Sequence, residues 1–415
     1  MKIGIKVHYL PVIHLAINIA RYLQLQWESV YFLDSNNFSI NYLIKKEWFH
    51  IIKYKKSSSN VKIISNQSDI FKLTKVRECI KNDSILIEQL NILYNNSLNT
   101  LNESKIDKII LFNWELDIER YVSEKLWIKT WYLDDWHLPD SYQMNLKWPN
   151  SKSDYANLTH KYFLKFTYEK NKIKNIKFDI NKIKIWIIGY LLWFIKVILD
   201  LFKNKFILKK FILIINQCKY LFIKKKIVIE DINYTKIWKY IFFPLQVNND
   251  SQIQINSEWK NNFEILNFIT KQIQDTDYSL IIKPHPFEPQ KINYSQYHND
   301  KNIFVLNWDL DELITKSDLV ITVNSSVWFQ AIQKYKKTII LWDCFYKNSP
   351  ISILHEKDTK LIQSIQKSNL IKVSKIDIDN YINHFKNNIF IRGSARNQNI
   401  NNLDINFFED LYKRL

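Results

Sequence analysis

The residues from Asp318 to Asp343, DLVITVNSSVWFQAIQKYKKTIILWD, decide the fold. They predict a buried strand from Leu319 to Val323, a polar tripeptide Asn324-Ser325-Ser326, a helix ending near Tyr335, and a second strand from Thr338 to Leu341. Asn324 or Ser325 is a suitable N-cap for that helix. The pattern places backbone N–H groups and hydroxyls at the carboxyl edge of a parallel sheet, where a phosphate-bearing donor would bind. An ordinary capped helix of a βαβ unit is the simpler alternative.

The same alternation of strands and helices continues on both sides of this stretch. Seven more strands are predicted: Val30 to Leu33, Val61 to Ile64, Lys108 to Phe112, Lys129 to Leu133, Tyr240 to Phe243, Ser279 to Ile282 and Ile303 to Leu306. Helices are predicted between them: Ser84 to Tyr94, Ser257 to Asp275 and Asp309 to Lys316. This order predicts an α/β fold with parallel sheets.

A chain of 415 residues is long enough for two domains, each with its own core. We predict an N-terminal domain over 1–226, which includes a basic insert at 161–226, and a C-terminal domain over 227–395. A C-terminal helix is predicted over 396–415. The composition, with only 3 Gly and 3 Cys, excludes a P-loop, a GxGxxG fingerprint and a disulfide framework. Without HExxH or clustered Cys and His, we predict neither a metal nor a cofactor, and with no secretory leader we expect a cytoplasmic protein.

The basic insert carries most of the formal net charge of +18, because 17 lysines and three acids lie between Lys161 and Lys226. Two apolar runs, from Ile185 to Phe202 and from Phe206 to Lys226, are interrupted by charges, which argues against spanning helices. We predict interfacial helices on the cytoplasmic face of an inner membrane. An amphipathic hairpin packed on its own domain is the alternative, and nucleic-acid binding is disfavoured because no recognised module is present.

Lys283-Pro284-His285-Pro286 directly follows a predicted strand. The two prolines restrict the backbone on either side of His285, which holds its imidazole at the edge of the sheet. Together with the tripeptide at Asn324, Lys283 and His285 suit binding of a diphosphate or nucleotide phosphate. A rigid turn with a capping histidine is the simpler interpretation.

Carboxylates follow strands in both predicted domains. Asp250 lies in the loop after one strand of the second domain, and WYLDDWHLPDSYQ leaves a strand of the first with Asp134, Asp135 and His137. Carboxylates from opposite domains could act on either side of one reacting carbon, as a nucleophile and a general acid/base. Solvated or capping roles are the alternative for each of them.

Three segments, FFPLQVNNDSQI, IIKPHPFEP and DLVITVNSSVWFQAI...KTIILWDCFY, resemble the capsule polysaccharide biosynthesis proteins of the bacterial capsule export type. Those proteins are β-Kdo transferases of GT-B fold that use CMP-Kdo. LDDWHLPDSYQMNLKWPN is similar to that family's Leu-Glu-Asn-Gly-x-Leu-Pro-Asn-Thr segment. The sequence departs from the family at Asp134, where Glu is usual, and at Trp136 and Trp328, where Gly is usual.

The resemblance implies two Rossmann-like domains that face each other across a cleft. It implies a retaining transfer with Asp250 as nucleophile and Asp134 as acid/base, with Asp135 and His137 in supporting or acceptor roles. Donor-binding residues would be Gln246, Lys283, His285, Asn324, Ser325 and Ser326.

We therefore predict a metal-independent glycosyltransferase that moves a sugar, Kdo from CMP-Kdo by resemblance, to a membrane-associated glycolipid or a capsular or surface polysaccharide. The alternatives are a related transferase that uses another CMP, CDP or UDP donor, and a non-enzymatic polysaccharide assembly or export factor.

Overall fold

The computed structural model describes residues 1–8, 12–35, 38–68, 70–71, 82–112, 118–134, 141–145, 175–176, 239–248, 250–254, 257–259, 261–274, 276–286, 294–297, 302–386, 390–392 and 403–415. The chain divides into two compact units. The first contains the described residues up to 176 and those from 390 onward, and the second contains those from 239 to 386.

The first unit is built on a seven-stranded sheet in the order β14-β6-β5-β4-β1-β2-β3. The strands are β1 (Lys2–Val7), β2 (Ser29–Leu33), β3 (Ile51–Ile52), β4 (Lys108–Phe112), β5 (Lys129–Asp134), β6 (Ser141–Asn145) and β14 (Phe390–Arg392). The five strands from β5 to β3 run parallel, and β6 runs antiparallel to both of its neighbours, β5 and β14. A separate antiparallel pair joins β7 (Asn175–Ile176) to β15 (Leu403–Asp404).

Helices cover both faces of this sheet, because its central strands are apolar on both sides. One face packs against α1 (Ile13–Leu25), α2 (Phe38–Lys46) and α11 (Ile405–Arg414). The other packs against α3 (Asp83–Ser104) and α4 (Ile118–Leu126). Phe408 and Leu411 of α11 are fully buried in the first core, so the chain returns to this unit after passing through the second.

The second unit has a six-stranded parallel sheet in the order β10-β9-β8-β11-β12-β13. The strands are β8 (Tyr240–Pro244), β9 (Ser279–Lys283), β10 (Ile303–Val305), β11 (Leu319–Thr322), β12 (Lys337–Ile340) and β13 (Ser352–Leu354). The helices are α5 (Ser251–Gln254), α6 (Asn262–Ile273), α7 (Leu310–Lys316), α8 (Val327–Gln333), α9 (Leu361–Leu370) and α10 (Lys375–His384). Helices α6 and α9 pack in one core. Helix α7 and part of α8 pack in a second core, which uses the alternate residues of the strands. This is the doubly wound strand order of dinucleotide-binding domains.

The predicted α/β class, with two Rossmann-like parallel-sheet units, is confirmed. The cleft between the domains and the domain boundaries at 226 and 395 stay predictions. Of the basic insert at 161–226, only residues 175–176 lie within the described residues, so the interfacial helices are untested. Among the helices of the described residues, none is long and apolar enough to cross a bilayer.

One predicted strand, Val61 to Ile64, is wrong, and the reason lies in helix α3. The side-chain oxygen of Asn91 accepts the backbone N–H groups of Ile63 (2.7 Å) and Ile64 (2.9 Å), and Asn95 donates to the Val61 carbonyl (3.0 Å). Asparagine side chains thus take the place of a neighbouring strand. The segment has no regular secondary structure, and the edge of the sheet is formed by β3.

Candidate active site

The second sheet reverses its winding direction between β8 and β11. The chain moves from β8 through β9 to β10 on one side, and through β11, β12 and β13 on the other. In doubly wound sheets, ligands bind at the carboxyl ends of the two strands that flank this switch point. Here those strands are followed by Leu245-Gln246 and Val323-Asn324.

Gln246 and Asn324 join the two strand ends through their side-chain amides. Gln246 Nε2 donates to Asn324 Oδ1 (3.1 Å), and the Asn324 backbone N–H points to Gln246 Oε1 (3.5 Å). Asn324 Nδ2 donates to the Gln252 carbonyl (3.0 Å). Both amides are buried, and the bonds among them hold the switch point in one geometry. Gln246 and Asn324, two of the predicted donor-binding residues, lie 78 positions apart in the sequence and are in direct contact.

A second asparagine supports this pair. Asn262, buried at the start of α6, donates from Nδ2 to the Gln246 carbonyl (2.8 Å) and to Tyr294 Oη (3.1 Å). Its backbone N–H is accepted by Asn248 Oδ1 (2.7 Å). The sequence does not mark Asn262 as a site residue, because the helix predicted from Ser257 begins five residues before the observed one and encloses it. The signal was available in the preceding Asn261, which caps α6 by accepting the Glu264 N–H (3.0 Å).

The tripeptide after β11 is held by its own hydroxyls and by a tyrosine. Ser325 donates its N–H to Thr322 Oγ1 (3.0 Å), its Oγ accepts the Val327 N–H (3.3 Å), and Tyr346 Oη donates to its carbonyl (2.8 Å). Helix α8 begins at Val327, and the N-cap is Ser326, whose side chain makes no capping bond. Ser326 itself already has right-handed helical backbone angles, and the capping hydrogen bond to the Val327 N–H comes from Ser325, one of the two residues predicted to cap this helix.

The KPHP segment lies beside this network. Lys283 ends β9 and pairs with Pro244 of β8, so it reaches the same carboxyl edge. Its Nζ donates to Asn307 Oδ1 (3.1 Å) and to the Trp308 carbonyl (2.5 Å). Burial lowers the pKa of Lys283, while the nearby Asp309 acts to raise it. The ammonium of Lys283 therefore ties β9 to the loop after β10.

The imidazole of His285 is half-buried, and its burial lowers its pKa below the ordinary value. The charge of Asp250 acts in the opposite direction, and that of Lys283 lowers the pKa further. A neutral imidazole, able both to donate and to accept a hydrogen bond, results at pH 7. His285 and Asp250, predicted to share one site, are therefore electrostatic neighbours.

Asp250 is half-buried, and its Oδ1 accepts the Gln252 N–H (2.9 Å) at the start of α5. This is the capping role that the sequence left open. One carboxylate can cap a short helix and also point an oxygen toward a ligand, so the nucleophile role of Asp250 stays a prediction.

The remaining predicted residues belong to the first unit or to segments outside the described residues. Asp134 is the last residue of β5, and its backbone pairs with Gln143 of β6. Asp135 and His137 lie outside the described residues. The pairing of Asp134 with Asp250 stays a prediction, since the two residues are in different units.

Two other kinds of site can be considered. No group of three or more His, Cys, Asp or Glu side chains suited to a metal ion occurs in the described part of the chain. The thiol of Cys344 is fully buried, and burial raises its pKa far above the ordinary range, so it is not a reactive nucleophile.

Known proteins match this chain in sequence and in structure. Residues 204–385 match the sequence model of the family described as capsule polysaccharide biosynthesis protein. Protein FixF of Sinorhizobium fredii is 28% identical over 109 residues, which cover 26% of this chain and 27% of FixF. The chain therefore spans about a quarter of the length of that relative.

Two solved structures come from one protein of Thermosulfurimonas dismutans. KpsC, beta Kdo 2,7 transferase, is 15% identical with a TM-score of 0.38, and covers 74% of this chain and 85% of its own. KpsC, beta Kdo 2,4 transferase, is 9% identical with a TM-score of 0.42, and the match covers 92% and 89% of the two chains. The matched segment 204–385 contains the PLQ, KPHP and NSS motifs, which confirms the predicted resemblance to the capsule polysaccharide biosynthesis proteins.

Proposed function

We propose that this protein is a glycosyltransferase that moves a sugar from a nucleotide donor to a membrane-associated glycolipid or a capsular or surface polysaccharide. The observation that carries the proposal is the Gln246–Asn324 amide pair at the switch point of the second sheet, beside the neutral imidazole of His285. The match of residues 204–385 to the family model supports the reaction class.

The donor would meet groups of three kinds at this edge. The His285 imidazole would donate a hydrogen bond to a donor phosphate oxygen, with Lys283 adding positive charge nearby. Ser325 and Ser326, both half-buried, would offer hydroxyls to the nucleotide or to a donor carboxylate. The Gln246 and Asn324 amides would keep both strand ends in place as the donor binds. CMP-Kdo is the proposed donor, supported by the motif resemblance of this segment.

In the proposed retaining reaction, a carboxylate oxygen of Asp250 forms a bond to the anomeric carbon while the bond from that carbon to the CMP phosphate breaks. CMP leaves with the electron pair. An acceptor hydroxyl then attacks the same carbon, displaces Asp250 and gives its proton to Asp134. Neither step calls for a metal ion or a bound cofactor.

The decisive experiment is Asp250→Asn, which removes the nucleophile and keeps the size of the side chain. Transfer should fall by at least about 1,000-fold, since removal of a covalent nucleophile typically costs that much. Binding of CMP, measured by calorimetry, should change little. Asp277→Asn is the matched control, because Asp277 is 93% exposed in the same unit and outside the site. Turnover that survives Asp250→Asn would remove the nucleophile role.

A panel of nucleotides and nucleotide sugars tests the donor. CMP-Kdo should be the substrate, and CMP should raise the melting temperature more than CDP or UDP. A preference for CDP or UDP compounds would favour a related transferase. No shift with any nucleotide would favour a polysaccharide assembly or export factor.

The site of action is also part of the proposal. The 17 lysines of the basic insert would attract anionic lipid on the cytoplasmic face of an inner membrane. Co-sedimentation with vesicles of anionic and of zwitterionic lipid tests this, with the lysines between 203 and 226 replaced by glutamine as the control. Equal sedimentation of both forms would exclude the insert as the membrane contact.

A further inference from the structure

Three tryptophans occupy a backbone conformation that side chains disfavour. Trp27, Trp48 and Trp127 have φ values of 62°, 66° and 56°. This left-handed region is populated mainly by glycine, because a Cβ atom there comes close to the following carbonyl oxygen. Five residues other than glycine have positive φ among the described residues, and three of the five are tryptophan.

All three tryptophans occupy the same position of the same motif. Each comes two residues after the last residue of a helix or directly after it, and precedes a strand: α1 and β2, α2 and β3, α4 and β5. The tryptophan N–H groups donate to the carbonyls of Gln24 (3.0 Å), Lys45 (3.0 Å) and Glu124 (3.4 Å). The next residues, Glu28, Phe49 and Ile128, donate to Leu23 (3.1 Å), Ile44 (3.2 Å) and Ser123 (2.9 Å). These paired bonds define the Schellman motif, in which this position is usually glycine.

The three indoles make almost no packing contact that could offset the conformation. Their exposed fractions are 95% for Trp27, 96% for Trp48 and 94% for Trp127. A large aromatic side chain normally buries most of its surface. At these positions the side chain adds exposed apolar surface and contributes nothing to either core.

The composition of the whole chain points the same way. The sequence has 3 Gly and 14 Trp in 415 residues, whereas average usage of about 7% would give about 29 glycines. Two further tryptophans, Trp136 and Trp328, stand where the motif resemblance implies glycine. Trp328 is fully buried, and its indole N–H has no acceptor among the described residues. A buried donor without a partner is uncommon in native proteins.

We propose that residues 27, 48 and 127 are glycine in the protein made by its source cell. The codon that is translated as tryptophan in the printed sequence would be decoded as glycine in that cell. The assignment extends to 136 and 328. At position 328 it bears on the site, because the Trp328 ring stacks on Tyr346 (centroids 4.0 Å apart), whose hydroxyl holds the Ser325 carbonyl. Glycine at 328 would free the space beside the NSS tripeptide.

The rival explanation is a lipid-contacting edge, since all three exposed indoles lie in loops that enter strands of the first sheet, and tryptophan favours the bilayer interface. It accounts for the exposure but not for the positive φ values or the scarcity of glycine.

Mass spectrometry of the protein isolated from its source cells tests the proposal directly. Peptides that cover residues 27, 48 and 127 should each be lighter than the tryptophan form by the difference between an indolylmethyl group and a hydrogen atom. Peptides with tryptophan at these positions would overturn the proposal. The readout is independent of transferase activity, so it stands or falls apart from the proposed function.

Recombinant variants give a second test. The triple variant W27G/W48G/W127G should melt about 5 °C or more above the tryptophan form, since relief of three left-handed residues is a substantial gain for a unit of this size. The matched triple W27A/W48A/W127A removes the same indoles but keeps the Cβ, so it should melt below the glycine triple. Trp308→Gly is the control at a residue without positive φ, and it should lower the melting temperature. A glycine triple no more stable than the alanine triple would contradict the proposal.

Discussion

The two sheets share a strand order but differ in the side chains at their switch points. In the first sheet the switch lies between β1 and β4, and in the second between β8 and β11. At the first, the buried Lys6 ammonium contacts Glu119 Oε1 (3.0 Å), Tyr54 Oη (2.8 Å) and the Asp34 carbonyl. At the second, neutral amides join Gln246 to Asn324.

The difference teaches that one backbone topology serves two purposes. The buried Lys6 ammonium and Glu119 carboxylate neutralise each other, which leaves little charge for a ligand. Amides and a neutral imidazole carry no net charge, so they can hold the strand ends in place and still leave hydrogen-bonding groups for a ligand at small electrostatic cost. We therefore propose that the first switch point serves stability and that the second serves donor binding.

The largest expected effect sharpens the stability half of this comparison. Glu119→Ala leaves the Lys6 ammonium buried without its carboxylate, which should lower the free energy of unfolding by about 3–5 kcal/mol. Urea denaturation measures the loss. The double variant Lys6→Met/Glu119→Leu should recover most of it, because it removes both charges. A double variant as unstable as the single would show that the pair acts through shape alone.

The pH dependence of stability tests a buried histidine of the second unit. His384 of α10 is buried, and burial lowers its pKa from 6.5 to about 4. Because the unfolded chain binds a proton more readily than the folded one, stability contributed by the neutral form is present above pH 6.5 and is lost as the pH falls toward 4. The loss should be about 3 kcal/mol, measured by chemical denaturation at several pH values. His384→Phe should flatten this slope, and an unchanged slope would assign the acid sensitivity to other groups.

Gln246→Ala tests the ligand-binding half of the comparison. It leaves the buried Asn324 amide with one partner fewer, which should cost about 1–3 kcal/mol of stability. CMP affinity should fall about 10-fold or more, as measured by calorimetry, since the strand ends are no longer joined. Glu119→Gln, in the other switch point, should leave CMP affinity unchanged. Equal effects of both variants on CMP affinity would break the comparison.

The smallest effect is a matched pair of helix caps. Asn82 caps α3 in the first unit by accepting the N–H groups of Ser84 (3.1 Å) and Ile85 (3.2 Å), and Asn261 caps α6 in the second. Alanine at either position should cost about 1 kcal/mol in thermal or urea unfolding. Only Asn261→Ala should also weaken nucleotide binding, because α6 carries Asn262 against Gln246.

Much of the second unit could be predicted from the sequence, because its strands are short apolar runs bounded by polar residues. The strands that begin at Tyr240, Ser279, Ile303 and Leu319 are all predicted from the sequence. The sequence did not predict that side chains of a distant helix would take the hydrogen bonds of a neighbouring strand. Asn91 and Asn95 lie on a helix, and nothing local in the sequence says that they bond to residues about 30 positions earlier.

The site was predictable as a set of positions but not as a set of bonds. The strand ends and their motifs predict that His285 and Asn324 lie at one edge of the sheet, and the family resemblance adds Gln246. The sequence does not show that Lys283 donates a hydrogen bond to the loop after β10, or that the Tyr346 hydroxyl donates one to the Ser325 carbonyl. Those contacts depend on how strands align across the sheet, which is decided by the packing of both faces.

The return of α11 to the first core has a consequence for synthesis on the ribosome. Phe408, Leu411 and Leu415 complete a core whose other buried members lie before residue 145, so the first unit cannot finish folding until residues 405–415 have emerged. The second unit is complete by residue 386 and can form while the first still waits. A nascent chain halted after residue 386 would therefore carry a folded second sheet and an open apolar face on the first, which makes that interval the one in which chaperones would be needed most.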